Sequence, residues 1–451
     1  MTAPIPFIGA FESTYQPAFD TDVFETTGHD LRWRKDIELL RGCGVRELRY
    51  PVRWHRVEVQ PGSFDWRQTD EVLAYLQDAG VRPIVDLVHH TSYPQWIHDF
   101  ADPEFGAALL RYVRAFAERY PGVDAYTIFN EPFTTFLLCG EAGIWPPHLR
   151  GLEGFLTVAR NVLPSLTEAS RLLRELLPDA RHVYVEACER HTSSSPEGAR
   201  YAEWTNDRRF FLTDLFVGRE LDPRRPFVAD VLACGGADLL EVEPGVIDVL
   251  GLDYYAHNQW EWADADVGTT CPSAPVPFGD VIREYWDRYR LPCIVGETNI
   301  RGLPSDRASW LKYTLEQCER ARGLYGVPVE GYCWFPFVDS CDWDSILCRC
   351  NGSVDPVGVY SLDEELRRTA NSMSDSYRLA ALGSVAADLP AYEFQPPVAT
   401  WLSGWLPQMA HWDWQPAPAA EVAAGGEPPD LEIEFTVVEA APEVTARREA
   451  A

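Results

Sequence analysis

The chain has 451 residues and carries 69 Asp plus Glu against 39 Lys plus Arg, a formal charge of −30. That balance repels nucleic acid and acidic membrane surfaces and suits a neutral small molecule as partner. No segment approaches the roughly 20 consecutive apolar residues that cross a bilayer, so a membrane is not expected as a partner either.

Apolar runs of strand character alternate with amphipathic helical stretches. The first strand is predicted at Pro6–Ala10, before a helix over Leu31–Arg41 that Gly42 to Gly44 closes. A second strand, Val45–Tyr50, leads to a helix over Asp70–Ala79, introduced by Asp65 and stopped by Gly80. The third pair is Arg82–Val88 with Glu104–Tyr120; the fourth is Ala125–Phe129, a long loop Phe133–Gly151, and Leu152–Leu177. Next come His182–Ala187, a long segment Glu189–Thr205 and a helix Asn206–Val217, then Val246–Leu252, the stretch Gln259–Pro277 and a helix Phe278–Tyr289. The last two pairs are Leu291–Gly296 with Arg307–Arg322, and Val329–Trp334 with Asp363–Tyr377. Eight strand–helix units predict an α/β fold, a (β/α)8 TIM barrel over residues 1–380. Residues 381–418, rich in proline and carrying Trp401, Trp405, Trp412 and Trp414, are expected as an aromatic extension packed on the barrel or in a contact between copies. Residues 419–451 read as an acidic, disordered tail.

Eleven cysteines, an odd number, and a start that lacks a basic stretch before an apolar run lead us to expect reduced thiols in a cytoplasm. Cys341, Cys348 and Cys350 lie close together but match no common zinc spacing, so packing is their expected use. Neither metal nor cofactor is expected.

Two carboxylates carry the chemical argument. Glu131 stands in IFNEP (128–132) and Glu297, 166 residues later, in CIVGET (293–298). Each closes an apolar strand run, which brings both to the rim where barrels bind ligands. Two carboxyls facing each other across a sugar divide the work of glycoside hydrolysis: one attacks as an anion, the other gives a proton to the leaving group. Glu131 fits the acid/base, since Pro132 bars a regular helical conformation at it, and Asn130 beside it can reach a hydroxyl next to the reacting carbon. Glu297 fits the nucleophile, with Arg49 to lower its pKa and Tyr255 to orient one oxygen. Helix capping, surface ion pairing and core packing are the plainer uses of these residue types. Gln16, His90, Asp342 and Trp343 fall at other strand ends and are candidates to hold sugar hydroxyls, with Trp334 as a stacking face. Of the adjacent His89 and His90, at most one is expected to face the pocket.

From about Phe7 to Asp363 the chain resembles glycoside hydrolase family 1. FIGAFESTYQ is similar to that family's first strand with its sugar-binding glutamine, which implies the role for Gln16. The segment from Asp30 to Trp66 resembles its second unit and implies Arg49; HTSYPQW resembles its His-Trp-Asp-Leu-Pro segment and implies His90. FNEP implies Asn130 and Glu131, GLDYY implies Tyr255 beside the nucleophile, and GETN resembles the Thr-Glu-Asn-Gly around Glu297. GYCWFPFVDSCDW is similar to the family's Trp-Ser-Leu-Leu-Asp-Asn-Phe-Glu-Trp stretch, with Asp342 in place of its Glu and one residue more between Trp334 and Trp343. Thr91 stands where a Trp follows the histidine, and Asp253 replaces an Asn. The resemblance implies a retaining β-glycosidase acting on a β-glucoside or β-galactoside without a cofactor. A transglycosylase, a 6-phospho-β-glycosidase and a non-catalytic carbohydrate-binding barrel are the alternatives.

Overall fold

The computed structural model describes residues 3–392, apart from 265, 266, 271, 273, 274 and 349. Eight parallel strands close into a barrel: β1 (Phe7–Ala10), β2 (Glu47–Pro51), β3 (Arg82–Asp86), β4 (Ala125–Thr127), β5 (Arg181–Ala187), β6 (Val249–Asp253), β7 (Cys293–Glu297) and β8 (Val329–Cys333). Each strand pairs with its sequence neighbour, and β1 closes the ring on β8 through Phe7 with Tyr332 and Ile8 with Cys333. All eight predicted strands overlap the observed ones.

Strand alternation sorts the side chains into two apolar layers. Ile8, Ala10, Ile84, Val183, Val185, Val249, Ile294, Cys333 and Phe335 form the cluster inside the barrel. Their neighbours Phe7, Leu48, Val85, Tyr184, Leu250, Val295, Tyr332 and Trp334 belong to the larger cluster between sheet and helices. On β1 the close approach requires a glycine: a Cβ at Gly9 would lie 2.5 Å from a methyl of Leu40 on the helix His29–Gly42.

Three stretches depart from the sequence reading. The segment Glu189–Thr205, expected as loop, holds most of a helix, Pro196–Arg208, started by the Ser195 hydroxyl accepting the Gly198 N–H and by proline in the first turn. The helix expected at Asn206–Val217 is accordingly split, its second part being Phe211–Phe216. Strands Arg190–Ser193, Gln259–Asp264 and Val267–Thr270, from the segments after β5 and β6, add a small sheet outside the barrel. The stretch Asp363–Tyr377 is helical only from Ser372, capped by Asn371; a short pairing of Ser361–Leu362 with Arg368–Thr369 precedes it.

The last helix runs to Ala381, and the chain then turns back onto the helix Pro304–Tyr325. There the Ala386 N–H donates to Glu319 and the Lys312 ammonium to the Leu389 carbonyl, at 3.0 and 2.8 Å. The remainder of the expected aromatic extension, the acidic tail, and any contact between copies through them lie outside the described residues. Among the described residues no helix is long and apolar enough to cross a membrane.

Candidate active site

At the C-terminal end of the barrel the inward positions change from apolar to charged. Above Ile84 comes Asp86, above Val249 and Gly251 comes Asp253, and β2 contributes Arg49; all three are at most 3 % exposed. Simple alternation would turn Glu297 outward, since Ile294 faces in and Val295 out. Instead the register slips between Val295 and Glu297, the mark of a bulge, and Glu297 is turned to the barrel axis. Gly296 makes this possible: a Cβ there would sit 2.5 Å from an Asp253 oxygen.

Arg49 ties the pieces together. Its Nη1 donates to Glu297 Oε1 and to the Gly296 carbonyl, both at 2.9 Å, and its Nη2 to Asn130 Oδ1 at 2.7 Å. The other Glu297 oxygen accepts the Tyr255 hydroxyl at 2.7 Å. Burial pushes the Glu297 carboxyl up, while Arg49, His89 and Tyr255 oppose the rise. Glu131 is differently placed: burial first, then the charges of Glu297 and Glu186, hold its carboxyl well above the usual range. The nearest cationic side chain type to it, His90, stands 3.7 Å away. Burial, then the charges of His89 and Arg49, push His90 well below its ordinary value, so it is neutral. Of this buried pair Glu297 therefore gives up its proton more readily than Glu131.

The turn after β4 fixes Glu131. Its N–H donates to the Val185 carbonyl and its own carbonyl accepts from Thr135, while φ is +44°. Pro132 does exclude the right-handed helical region, but the residue resolves this in the left-handed region rather than as extended strand. His90 and Asp342 are also left-handed, at φ +49° and +56°, and strained conformations of this kind collect at functional sites.

Four sequence expectations are changed by the geometry. Trp334 is not a stacking face: it is fully buried on the helix side of the barrel, its indole donating to the Val357 carbonyl at 2.9 Å. Phe335, one residue on, faces the interior and stacks with His89 at 5.7 Å, with Trp343 5.9 Å away and Tyr255 5.8 Å beyond that ring. Counted from Phe335 the extra residue before Trp343 disappears. Asp342 is anchored to its own loop, its carboxylate accepting the N–H groups of Gly352 and Ser353 at 2.8 and 3.3 Å. His90 has both nitrogens engaged, accepting from Asn130 Nδ2 at 3.2 Å and meeting Thr135 Oγ1 at 2.9 Å, so no nitrogen is left for a hydroxyl. Asn130 is correspondingly held between Arg49 and His90. Gln16 follows Tyr15, whose backbone is held by Thr91 and Ser92, and the Gln16 Oε1 is buried and unpartnered.

Other residues of the site were not singled out from sequence. His89 hydrogen-bonds Asp86 at 2.8 Å and leaves its Nε2 unpartnered, 3.6 Å from Glu12. Burial alone would push its imidazole down; Asp86, Glu12 and Glu297 more than offset this, and its pKa is raised. Asp253 is fully buried, with no N–H or hydroxyl group on either oxygen and the Glu131 carboxyl as its hydrogen-bond partner; burial, Glu297 and Glu131 drive it well above the usual range. Glu186 accepts the N–H groups of Phe133 and Ala187, anchoring the turn behind Glu131, and burial pushes it up to about 8. Counting alternate positions inward from the strand ends would have found Phe335, Asp86 and Asp253. Among the described residues no cluster of His, Cys, Asp or Glu could hold a metal; Cys341, Cys348 and Cys350 face the carbonyls of Thr26, Ile346 and Leu347.

The family model described as glycosyl hydrolase family 1 matches residues 16–287. Beta-glucosidase A of Thermotoga maritima is 22% identical over 353 residues, covering 70% of this chain and 78% of that protein. Beta-glucosidase 1B of Phanerodontia chrysosporium is 22% identical, covering 89% of this chain and 80% of its own length. Among solved structures, the Thermotoga maritima beta-glucosidase in complex with cyclophellitol superposes with a TM-score of 0.69 at 18% identity, over 84% of this chain and 97% of that one. The same enzyme in complex with deoxynojirimycin gives 0.68 at 17% identity, over 84% and 98%. These likenesses agree with the barrel.

Proposed function

The chain belongs to glycosyl hydrolase family 1, and from that premise we propose that it is a retaining β-glycosidase that hydrolyses a neutral β-glucoside or β-galactoside through a covalent glycosyl-enzyme intermediate. Its curated relatives are named beta-glucosidases, which favours glucosides. The observation that carries the reading is the unequal treatment of two buried carboxyls. Both Glu297 oxygens accept hydrogen bonds, one from a guanidinium and one from a phenol, whereas burial and neighbouring acids keep the proton on Glu131.

In this reading Glu297 attacks the anomeric carbon as Glu131 transfers its proton to the departing glycosidic oxygen. Glu131, now an anion, then takes a proton from water as that water attacks the same carbon and frees Glu297. Arg49 remains charged throughout and fixes the nucleophile's Oε1 by its hydrogen bond. Phe335 and Trp343 form an apolar wall against which a sugar face can lie.

A panel of nitrophenyl glycosides with the wild type, Glu131→Gln and Glu297→Ala tests it. The wild type turns over at least one β-glycoside with retention, and azide restores turnover in Glu297→Ala with an α-glycosyl azide as product. No turnover on the whole panel, with sugar binding indifferent to either substitution, favours a non-catalytic carbohydrate-binding barrel instead.

A further inference from the structure

We propose that Asp253 is a positioning residue that shares a proton with Glu131, the two carboxyls forming a hydrogen-bonded acid pair that serves the acid/base step. The inference deepens the glycosidase reading and rests on it for its part in turnover. Asp253 ends β6, is fully buried, and pairs in register with Glu297 across the sheet. Its carboxyl leans over Gly296, where a Cβ would stand 2.5 Å from Oδ1. Among the described residues no N–H or hydroxyl group donates to either Asp253 oxygen, and the Glu131 carboxyl is its hydrogen-bond partner. Two carboxyls hydrogen-bond only when at least one of them carries a proton.

The surroundings decide where that proton stays. The charged and titratable groups facing Asp253 are Glu297 from β7, Glu131 from the turn after β4, Arg49 from β2 and Glu186 from β5. Tyr255, just past the end of its own strand, and the thiols of Cys188 after β5 and Cys333 on β8 complete the set. Arg49 is the cation in this set, and its hydrogen bonds go to Glu297, the Gly296 carbonyl and Asn130. Burial and the surrounding acids hold Asp253 well above the ordinary carboxylate range, so it enters the cycle as an acid. When Glu131 acts, its O–H bond and the glycosidic C–O bond break and an O–H bond forms on the leaving group. The Asp253 O–H then donates to the new Glu131 carboxylate, where the negative charge has appeared. Water returns a proton to Glu131 in the second step, and the Asp253 proton never leaves the pair. If rising pH strips one proton from the pair, the other is shared, and the charge already present resists its loss. Asp253 therefore keeps a proton available to the leaving group up to a higher pH than Glu131 reaches by itself. An asparagine at this position offers Glu131 an N–H but neither a charge nor a proton to share.

Two comparisons of the wild type with Asp253→Asn test the pair. Initial rates on a nitrophenyl β-glycoside across the pH range give the alkaline limb of kcat/KM, which is expected to move at least about 1 unit to lower pH in the variant. The sign follows from the lost carboxyl: without it no neighbouring anion at 253 holds the last proton on Glu131. Infrared difference spectra near neutral pH need no substrate, and are expected to show the C=O band of a protonated carboxyl in the wild type that the variant lacks. If a thermal melt shows that Asp253→Asn does not fold, Asp253→Ala is read in the same two ways with the same expected signs. An alkaline limb that stays in place or moves to higher pH, with only kcat or KM scaled, would mean that Asp253 fills space, and would overturn the proposal. The band of an ionised carboxylate in place of the protonated one would overturn it as well. A wild type inactive on every glycoside would remove the glycosidase reading and the part of the pair in it, while the infrared comparison would still decide whether the two carboxyls share a proton.

Discussion

Removing one oxygen from Tyr255 is the sharpest probe of how the site divides its protons. Tyr255→Phe keeps the ring contacts to His257 and Trp343, at 5.3 and 5.8 Å, and deletes only the donor 2.7 Å from Glu297 Oε2. A hydrogen bond to a charged group contributes about 1.5–3 kcal/mol, and to the extent that it favours the anion over the acid this is about 1–2 pKa units. The sign follows from the partner: the phenol lowers the Glu297 pKa, so its loss raises it. Catalysis in the proposed mechanism needs Glu297 ionised, so the acid limb of kcat/KM against pH moves up by about 1–2 units. The alkaline limb, where Glu131 gives up its proton, moves less. Initial rates on a nitrophenyl glycoside across the pH range, with a thermal melt to verify folding, measure this. An acid limb that stays in place or moves to lower pH would refute the assignment of Glu297 as the residue that must be ionised.

Three further outcomes follow from the same geometry. Glu186 is pushed up by burial to about 8 from an ordinary value of 4.5, so the fold favours its neutral form. Its contribution is fully present below the unfolded value and is lost as pH rises toward 8, by at most about 4–5 kcal/mol; denaturant midpoints from pH 4 to 9 should show this slope, and Glu186→Gln should flatten it. Phe335→Leu should lower kcat/KM by about 10-fold through KM, whereas Trp334→Phe should cost about 1–3 kcal/mol of stability with kcat/KM nearly unchanged, which steady-state kinetics beside melting curves will separate. Asp342→Asn should destabilise by about 1 kcal/mol by weakening its hydrogen bonds to the Gly352 and Ser353 N–H groups, which a thermal melt will measure.

Much of this protein could be read directly from the chain, because strand and helix periodicity is local. The eight apolar runs declare the barrel, and a barrel puts whatever closes a strand at one rim, so Glu131, Glu297, Arg49 and Tyr255 are found by their positions in those runs. The family resemblance supplied their order of roles. Where a side chain points is a different matter, since one residue's slip exchanges inside for outside. Trp334 and Phe335 are adjacent and both aromatic, and only the closed sheet decides that the phenylalanine faces the pocket and the tryptophan the helices. The same holds for the bulge that turns Glu297 inward.

What sequence alone determined is the fold and, through the family resemblance, the class of chemistry, both of which are written in short-range pattern. Only tertiary structure decided which of two histidines keeps a free nitrogen, that Asp342 is consumed by its own loop, and that Glu12 stands opposite His89. Hydrogen-bond satisfaction is a property of neighbours brought together from distant parts of the chain. Glu12 and His89 are 77 residues apart, and nothing in the spacing says which donor each acceptor will meet.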